Sequence, residues 1–273
     1  MNNTKLWIND GDLYDKVSSY RQEQDVDWIV SLFPKEEYNN YIDIGCGSGS
    51  LMRKMLKEHN IKNVTGLEGS ESRLKEAKNK LKGFDNVNKT YYLKDILEYP
   101  KFNLKFDAIT MTSVLHWLYP YEDKVFEWID GMFDDKGILC LTTYHPNDTI
   151  NGIGGTDKIV IEAYNKIGVD YNLFGKLDLI GKRTRDIVSI EKLINQIFEI
   201  HFSKNKQANM TVDCEQQYID YHIATFGGFY TQFIPSKKLA KFYENIGKIA
   251  MKRMEEYGFV TSIEVRAWYC TKK

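Results

Sequence analysis

Residues 41–50 read YIDIGCGSGS, an apolar strand that runs into three glycines at alternating positions. Glycine permits tight turns and lets the backbone approach a ligand closely, and Gly45, Gly47 and Gly49 stand directly before a predicted helix. In sheets built from alternating strands and helices, ligands bind beyond the carboxyl ends of the strands. The loop therefore predicts a ligand site, and its neighbours indicate the ligand.

Acidic residues lie at the ends of three successive predicted strands, in phase with this loop. Asp43 precedes Gly45 by two positions, where it can brace the loop or face a cation. Glu68 ends the second strand, where a carboxylate can accept hydrogen bonds from both hydroxyls of a ribose. Asp95 follows the third strand, where it can accept from the amino group of adenine. The three acids together predict a nucleoside site.

Position 50 argues against a dinucleotide as the ligand. A dinucleotide fingerprint reads Gly-x-Gly-x-x-Gly, and Ser50 stands where its third glycine is expected. No Lys-Ser or Lys-Thr pair follows, which argues against a phosphate-binding P-loop. A loop surrounded by carboxylates favours a ligand that has a nucleoside and a cationic centre but no phosphates.

Short strands rich in β-branched and aromatic residues alternate with amphipathic helices up to residue 145. This alternation implies right-handed crossovers and a mostly parallel, doubly wound α/β sheet. The predicted strands are 41–45, 63–68, 87–93, 106–111 and 137–143, and later strands are predicted at 199–212 and 259–270.

Two further helices are predicted after residue 145. One spans 189–198 with Ser189 as its cap, and the other spans 236–257 with Ser236 as its cap and Gly258 at its end. We interpret the chain as one domain, 1–273. Its predicted parts are a helical lid (1–37), a cofactor-binding core (38–145), substrate-side insertions with a helical cover (146–235), and a final helix and strand (236–273).

Composition excludes several kinds of partner. The 37 basic residues nearly balance 38 acidic ones, and a net charge of −1 gives no electrostatic attraction to nucleic acid. No run of about 18 apolar residues exists, so no membrane partner is expected. The four cysteines form no CxxC pair, which argues against a metal site and fits a cytoplasmic protein.

Residues 38–145 resemble the class I S-adenosylmethionine-dependent methyltransferases, through YIDIGCGSGS, Glu68 and the KDIL stretch at 94–97. The resemblance implies a seven-stranded, Rossmann-like sheet whose last strand is antiparallel, with S-adenosyl-L-methionine as cofactor and methyl transfer as the activity. The cofactor-binding residues it implies are Asp43, Gly45, Cys46, Gly47, Gly49, Glu68, Gly69, Asp95, Ile96 and Thr112.

Two other segments of the sequence give information on the methyl acceptor. His116 and Trp117, in SVLHWL, follow the fourth strand and should lie near the transferred methyl group. The lid carries Tyr20 and Gln22, and its sequence together with L-H-W resembles small-molecule carboxyl methyltransferases of the juvenile hormone acid and trans-aconitate types. That resemblance implies that Gln22 and Trp117 donate hydrogen bonds to a substrate carboxylate, with Gln24 as the alternative to Gln22.

A carboxylate acceptor is already deprotonated at neutral pH and needs no general base. A phenol, amine or activated carbon would need one, and His116, with an ordinary pKa of about 6.5, would be the base. Phe226, Phe229 and Tyr230, beside Gly227 and Gly228, are predicted to line an apolar pocket for a small molecule, or else to form the core of the cover.

The sequence is also compatible with other classes of function. The same sheet could serve a nicotinamide-dependent oxidoreductase, or a module that binds the cofactor without catalysis. The expected assembly is a monomer or homodimer.

Overall fold

The computed structural model describes residues 11–18, 20–34, 37–146, 155–169, 183–184, 186–226 and 228–273. Within these ranges seven strands form one sheet. They are β1 (Glu37–Ile44), β2 (Asn60–Glu68), β3 (Asn88–Leu93), β4 (Phe106–Thr112), β5 (Phe133–Pro146), β6 (Phe198–Met210) and β7 (Thr261–Lys272).

The strand order is β3-β2-β1-β4-β5-β7-β6. Strands β1 to β5 pair in parallel, whereas β7 runs antiparallel to both β5 and β6. Because β1 lies between β2 and β4, the strand order reverses at β1, and this is where open α/β sheets bind ligands. The predicted fold class, with its antiparallel last strand, is confirmed.

Helices connect the strands and cover the sheet. They are α1 (Gly11–Ser18), α2 (Val26–Val30), α3 (Ser50–Glu58), α4 (Glu71–Lys80), α5 (Leu115–Leu118), α6 (Glu122–Met132), α7 (Thr156–Lys166), α8 (Ile187–Ile197), α9 (Glu215–Phe226) and α10 (Ser236–Tyr257), with 3-10 turns at Gln22–Asp25 and Ile96–Glu98.

Alternate residues of β1 pack on opposite faces of the sheet. Tyr41 joins a buried cluster with α2, α3 and α4, whereas Ile42 joins one with α6 and α8. A third cluster lies in the cover and final helix, where Tyr164 of α7, Tyr218 of α9 and Phe242 of α10 are fully buried. The third cluster includes Val17 of α1, so the lid packs directly on the cover.

Two helices are not capped by the residues predicted to cap them. Helix α8 begins at Ile187 because the Asp186 carboxylate accepts the N–H of Ser189, so Ser189 lies inside the helix. Ser236 is the first residue of α10 and follows Pro235, so it is not the cap. Gly258 ends α10 with φ of 77°, as predicted. Among the described residues, no helix combines the length and apolarity needed to cross a bilayer.

Candidate active site

All three glycines of the loop after β1 have left-handed backbone conformations, with φ of 74° at Gly45, 53° at Gly47 and 81° at Gly49. Two of them also have no space for a side chain. A Cβ on Gly45 would lie 2.5 Å from Val114, and one on Gly49 would lie 2.9 Å from the backbone of Ala77 in α4. Gly49 thus lets α4 approach the loop, which is close helix packing of the kind that the third glycine of a dinucleotide fingerprint provides.

Glu68 braces the glycine loop. One of its carboxylate oxygens accepts the N–H of Gly47 at 2.9 Å, and the other accepts the N–H of Ser70 at 2.9 Å. The side chain is buried at the end of β2. An ionised carboxylate has about four acceptor positions, so two backbone donors leave capacity for the two hydroxyls of a ribose.

Asp43 is buried beneath the same loop. Its carboxylate accepts the hydroxyl of Thr110 at 2.6 Å, and that hydroxyl lies 2.8 Å from the hydroxyl of Tyr41. Burial raises the pKa of Asp43 to about 7; the Thr110 hydrogen bond opposes this rise and the charge of Glu68 adds to it. Near neutral pH, Asp43 is therefore a carboxylate whose ionisation a nearby cation would favour.

The remaining predicted cofactor residues lie along the same edge of the sheet. Asp95 caps a 3-10 turn by accepting the N–H of Leu97 at 2.9 Å. Ile96 begins that turn and is half-buried, and Thr112 ends β4 and is half-buried. Cys46 is buried in the loop, and Gly69 is exposed beside Glu68. These positions follow the carboxyl ends of β1 to β4, so the structure groups all of them at one edge.

His116 and Trp117 lie in α5, directly beyond β4. Their ring centroids are 5.0 Å apart, and the ring of Tyr144, near the end of β5, lies 4.7 Å from that of His116. Arg183 holds this short helix by donating to the main-chain oxygens of His116 at 2.8 Å and Trp117 at 3.1 Å.

The environment of His116 keeps it neutral. The side chain is 4% exposed, and its Nδ1 has no hydrogen-bond partner among the described residues. Burial, with the positive charges of Arg183 and Arg21, lowers its pKa to about 3. His116 is therefore a much weaker base than an exposed histidine.

The predicted aromatic residues form a continuous wall with Trp117. The ring of Phe229 meets that of Trp117 edge to face at 5.9 Å and lies 4.8 Å from that of Tyr230. Phe226 packs 5.2 Å from Tyr230. All three cover aromatics are buried, and of the three it is Phe229 whose ring contacts Trp117. Gly227 lies outside the described residues.

The lid lies over the glycine loop. Tyr14 of α1 comes within 3.6 Å of where a Cβ on Gly47 would be, and its ring covers the guanidinium of Arg73 at 3.7 Å. Arg73 also donates to the main-chain oxygen of Ala224 in α9 at 3.0 Å. Arg73 thereby joins lid, core and cover, and the sequence analysis singled out neither Tyr14 nor Arg73 as a site residue.

The predicted acceptor residues of the lid, Tyr20, Gln22 and Gln24, lie in and just before the 3-10 turn that follows α1. Tyr20 is half-buried and packs on the cover cluster that contains Phe229. Gln22 begins a 3-10 turn, but its side chain lies outside the described residues. Gln24 is exposed, and its amide donates to the main-chain oxygen of Tyr20 at 2.7 Å. Arg21, just before this turn, and Asp25, its last residue, are both buried, and sequence reasoning assigned a role to neither.

The comparison with protein families is decisive for the core. Residues 42–139 match the family model described as a methyltransferase domain. Residues 42–139 form a class I S-adenosylmethionine-dependent methyltransferase domain. The predictions of family and of an enzyme are confirmed at the level of this domain, and S-adenosylmethionine is the cofactor of the family.

Known proteins similar to this chain include a malonyl-[acyl-carrier protein] O-methyltransferase 2 from Ilyobacter polytropus, 27% identical over 109 residues. The alignment covers 40% of this chain and 40% of that relative.

Solved structures share the fold of this chain. Mycolic acid cyclopropane synthase CmaA1, complexed with S-adenosylhomocysteine and CTAB, has a TM-score of 0.59 and 15% identity over 98% of both chains. A methyltransferase from Geobacter sulfurreducens, in complex with S-adenosyl-L-homocysteine, has a TM-score of 0.57 and 13% identity over 98% of this chain and 100% of that one. At such identities the likeness shows the fold alone.

The residues of the methyltransferase core fit this cofactor. Glu68 offers acceptors to a ribose diol, and Asp43 and Asp95 add carboxylates to the same edge. These carboxylate acceptors suit a nucleoside with a positive charge better than a pyrophosphate. The match therefore favours methyl transfer over the nicotinamide alternative.

Proposed function

We propose that the chain transfers the methyl group of S-adenosylmethionine to the carboxylate of a small organic acid and so forms a methyl ester. The environment of His116 carries this choice of acceptor. It is the residue best placed by sequence to act as a base, and the structure makes it buried, flanked by two arginine charges and weakly basic. An acceptor that is already ionised fits such a site, because its reaction needs no base.

Methylation of a carboxylate conserves atoms and charge without any proton transfer. The bound cofactor supplies a methyl group on a positively charged sulfur. A carboxylate oxygen forms a bond to that carbon while the carbon–sulfur bond breaks, and S-adenosylhomocysteine leaves with the bonding pair. The contribution left for the chain is to desolvate and aim the oxygen, an effect that can supply roughly 7–11 kcal/mol in favourable systems.

Trp117 is the residue that we propose for aiming the acceptor. It lies beyond β4 between His116 and Phe229, on the aromatic wall shared with the cover. An indole N–H is a neutral donor, so it can orient a carboxylate oxygen without pairing with it as a cation would. Gln22 keeps its predicted role as a second neutral donor, and Tyr20, Phe226, Phe229 and Tyr230 keep theirs as the apolar walls.

The curated relative supports an oxygen acceptor. Its name describes O-methylation of malonyl-[acyl-carrier protein], and a malonyl thioester carries a free carboxylate. The predicted small-molecule partner, cytoplasmic location, and monomeric or dimeric state remain predictions.

A panel of carboxylic acids incubated with methyl-labelled S-adenosylmethionine tests the proposal. Methyl esters release labelled methanol in mild base, whereas N- or C-methylated products keep the label. We expect at least one acid to yield base-labile product. Labelled products that are stable to base would instead favour an amine or carbon acceptor, and no transfer to any acid of the panel would contradict the proposal.

A further inference from the structure

The lid reaches the cofactor side of the site through Tyr14. The ring of Tyr14 comes within 3.6 Å of where a Cβ on Gly47 would be, so it lies against the backbone of the glycine loop. The N–H of Gly47 is also the one that the carboxylate of Glu68 accepts. Tyr14 therefore lies beside the two groups that fit the nucleoside of the cofactor, the loop and the carboxylate, and forms the lid-side wall of their site.

Arg73 of α4 holds the ring of Tyr14 in this position. The guanidinium carbon lies 3.7 Å from the ring centroid, and Nη2 donates to the main-chain oxygen of Ala224 in α9 at 3.0 Å. The Nε of Arg73 is buried and has no hydrogen-bond partner among the described residues. Cation–π attraction is stronger where water is excluded, so this contact belongs in the upper part of the range for such pairs.

The backbone of Arg73 is fixed by the cofactor site itself. The Glu68 carboxylate accepts the N–H of Ser70 at 2.9 Å, and the Ser70 hydroxyl caps α4 by accepting the N–H of Arg73 at 3.4 Å. Contacts therefore run from Glu68 through Ser70 and Arg73 to Tyr14, and from Tyr14 back to the loop that Glu68 braces. The lid is thus connected to the carboxylate that is predicted to bind the ribose.

Helix α1 depends on such contacts for its position. It has 8 residues, whereas isolated helices shorter than about 12–15 residues are marginal in water. Among its described side chains, Leu13, Tyr14 and Val17 pack on the cover. Because a small set of side chains holds α1, it can separate from the loop at a moderate cost in free energy, and the contact with Arg73 is part of that cost.

We propose that Arg73 is a positioning residue that keeps Tyr14 closed over the cofactor site and so sets the rate at which the cofactor enters and leaves. The contact joins two groups of the protein and does not include the ligand. Its loss should therefore destabilise the closed lid by the same factor in the free and in the bound enzyme. Exchange through the open lid should accelerate in both directions while the affinity changes little, because only a difference in affinity between two states shifts a binding equilibrium.

Surface plasmon resonance with the full chain immobilised measures both rates for S-adenosylhomocysteine. A cation–π contact changes an equilibrium constant by about 2- to 30-fold. We therefore expect Arg73→Gln to raise the association and dissociation rates together by about five- to tenfold, with a Kd within about threefold of the wild-type value. Lys75→Gln, which removes an exposed cation from the same helix, is the matched control and should show wild-type rates.

Variants of Tyr14 separate this role from a general effect on folding. Tyr14→Leu should accelerate exchange as Arg73→Gln does, whereas Tyr14→Phe, which keeps an aromatic face, should stay within about threefold of the wild-type rates. The double variant of Tyr14→Leu with Arg73→Gln should be no faster than the faster single variant, because the contact is already lost. If Arg73→Gln does not fold, Tyr14→Leu and Tyr14→Phe decide the question.

Exchange rates in Arg73→Gln and Tyr14→Leu equal to those of Lys75→Gln would overturn the inference. A faster dissociation with an unchanged association rate would also overturn it, since the two residues would then act by contact with the ligand and the Kd would rise. The same holds if the effects of the two substitutions multiply in the double variant. Partial unfolding would lower the amount of ligand bound, but it would not accelerate both rates.

Discussion

The carboxylate of Glu68 accepts the backbone N–H of Gly47 at 2.9 Å and so holds the glycine loop against the end of β2. The same carboxylate is the predicted acceptor for the cofactor ribose, so one side chain both shapes the loop and binds the ligand. Loss of its charge should therefore affect the cofactor site in two ways.

Glu68→Gln should weaken binding of S-adenosylmethionine by at least about tenfold, because a glutamine has one acceptor oxygen for two backbone donors and two ribose hydroxyls. Calorimetric titration of the cofactor measures this. Glu71→Gln, an exposed glutamate of α4, is the control and should bind normally. Equal affinities for the two variants would remove Glu68 from the cofactor site.

Asp43 should make cofactor binding depend on pH. Its pKa of about 7 means that it is largely protonated at pH 6 and largely ionised at pH 8. A positive sulfonium favours the ionised form, so the Kd of S-adenosylmethionine should fall by up to about tenfold over this interval. S-adenosylhomocysteine, which has no sulfonium, should show a smaller change, and Asp43→Asn should show none. A cofactor Kd that is flat with pH in the wild type would argue against this coupling.

Trp117→Phe should keep cofactor affinity and lose roughly tenfold or more in methyl-transfer rate, since a hydrogen bond to a charged group is worth about 1.5–3 kcal/mol. Trp128→Phe is the matched control, because the indole of Trp128, on α6, donates to the main-chain oxygen of Pro100. Single-turnover rates at saturating acceptor compare the two. A rate in Trp117→Phe equal to that of the control would show that Trp117 only packs.

Gly49→Ala should destabilise the protein by about 2–4 kcal/mol, since a Cβ adds left-handed strain and meets the backbone of Ala77 at 2.9 Å. Gly83→Ala is the control: it has open space and no positive φ, so a change within about 1 kcal/mol is expected. Urea unfolding of both variants measures the free energies. If the two substitutions cost the same, the loop does not need glycine at position 49 for packing.

Each residue on the cofactor side of the site lies close in sequence to the end of a predicted strand, which is why this side could be predicted. Gly45, Glu68 and Asp95 each follow a strand directly, and parallel strands bring their carboxyl ends to one edge. The antiparallel last strand, in contrast, is predicted only through the resemblance to a family.

The acceptor side depends on contacts between distant residues, and those could not be read from the sequence. In the lid, Asp25 pairs with Lys206 of β6, and Arg21 and Asp25 are buried whereas Gln24 is exposed. His116 was identified as a candidate base, but its low pKa arises from burial and from Arg183, 67 positions away. Local spacing carries no information on such an environment.

The most direct test of base-free carboxylate methylation is the pH dependence of single-turnover methyl transfer to an accepted acid, from pH 5.5 to 8.5. Saturating cofactor and acceptor remove the contributions of Asp43 and of acceptor binding. Because His116 stays neutral and the acceptor is ionised throughout, we predict base-labile product formed at a constant rate. A rate that climbs through pH 6.5 and is abolished in His116→Gln would contradict the account and establish a general base.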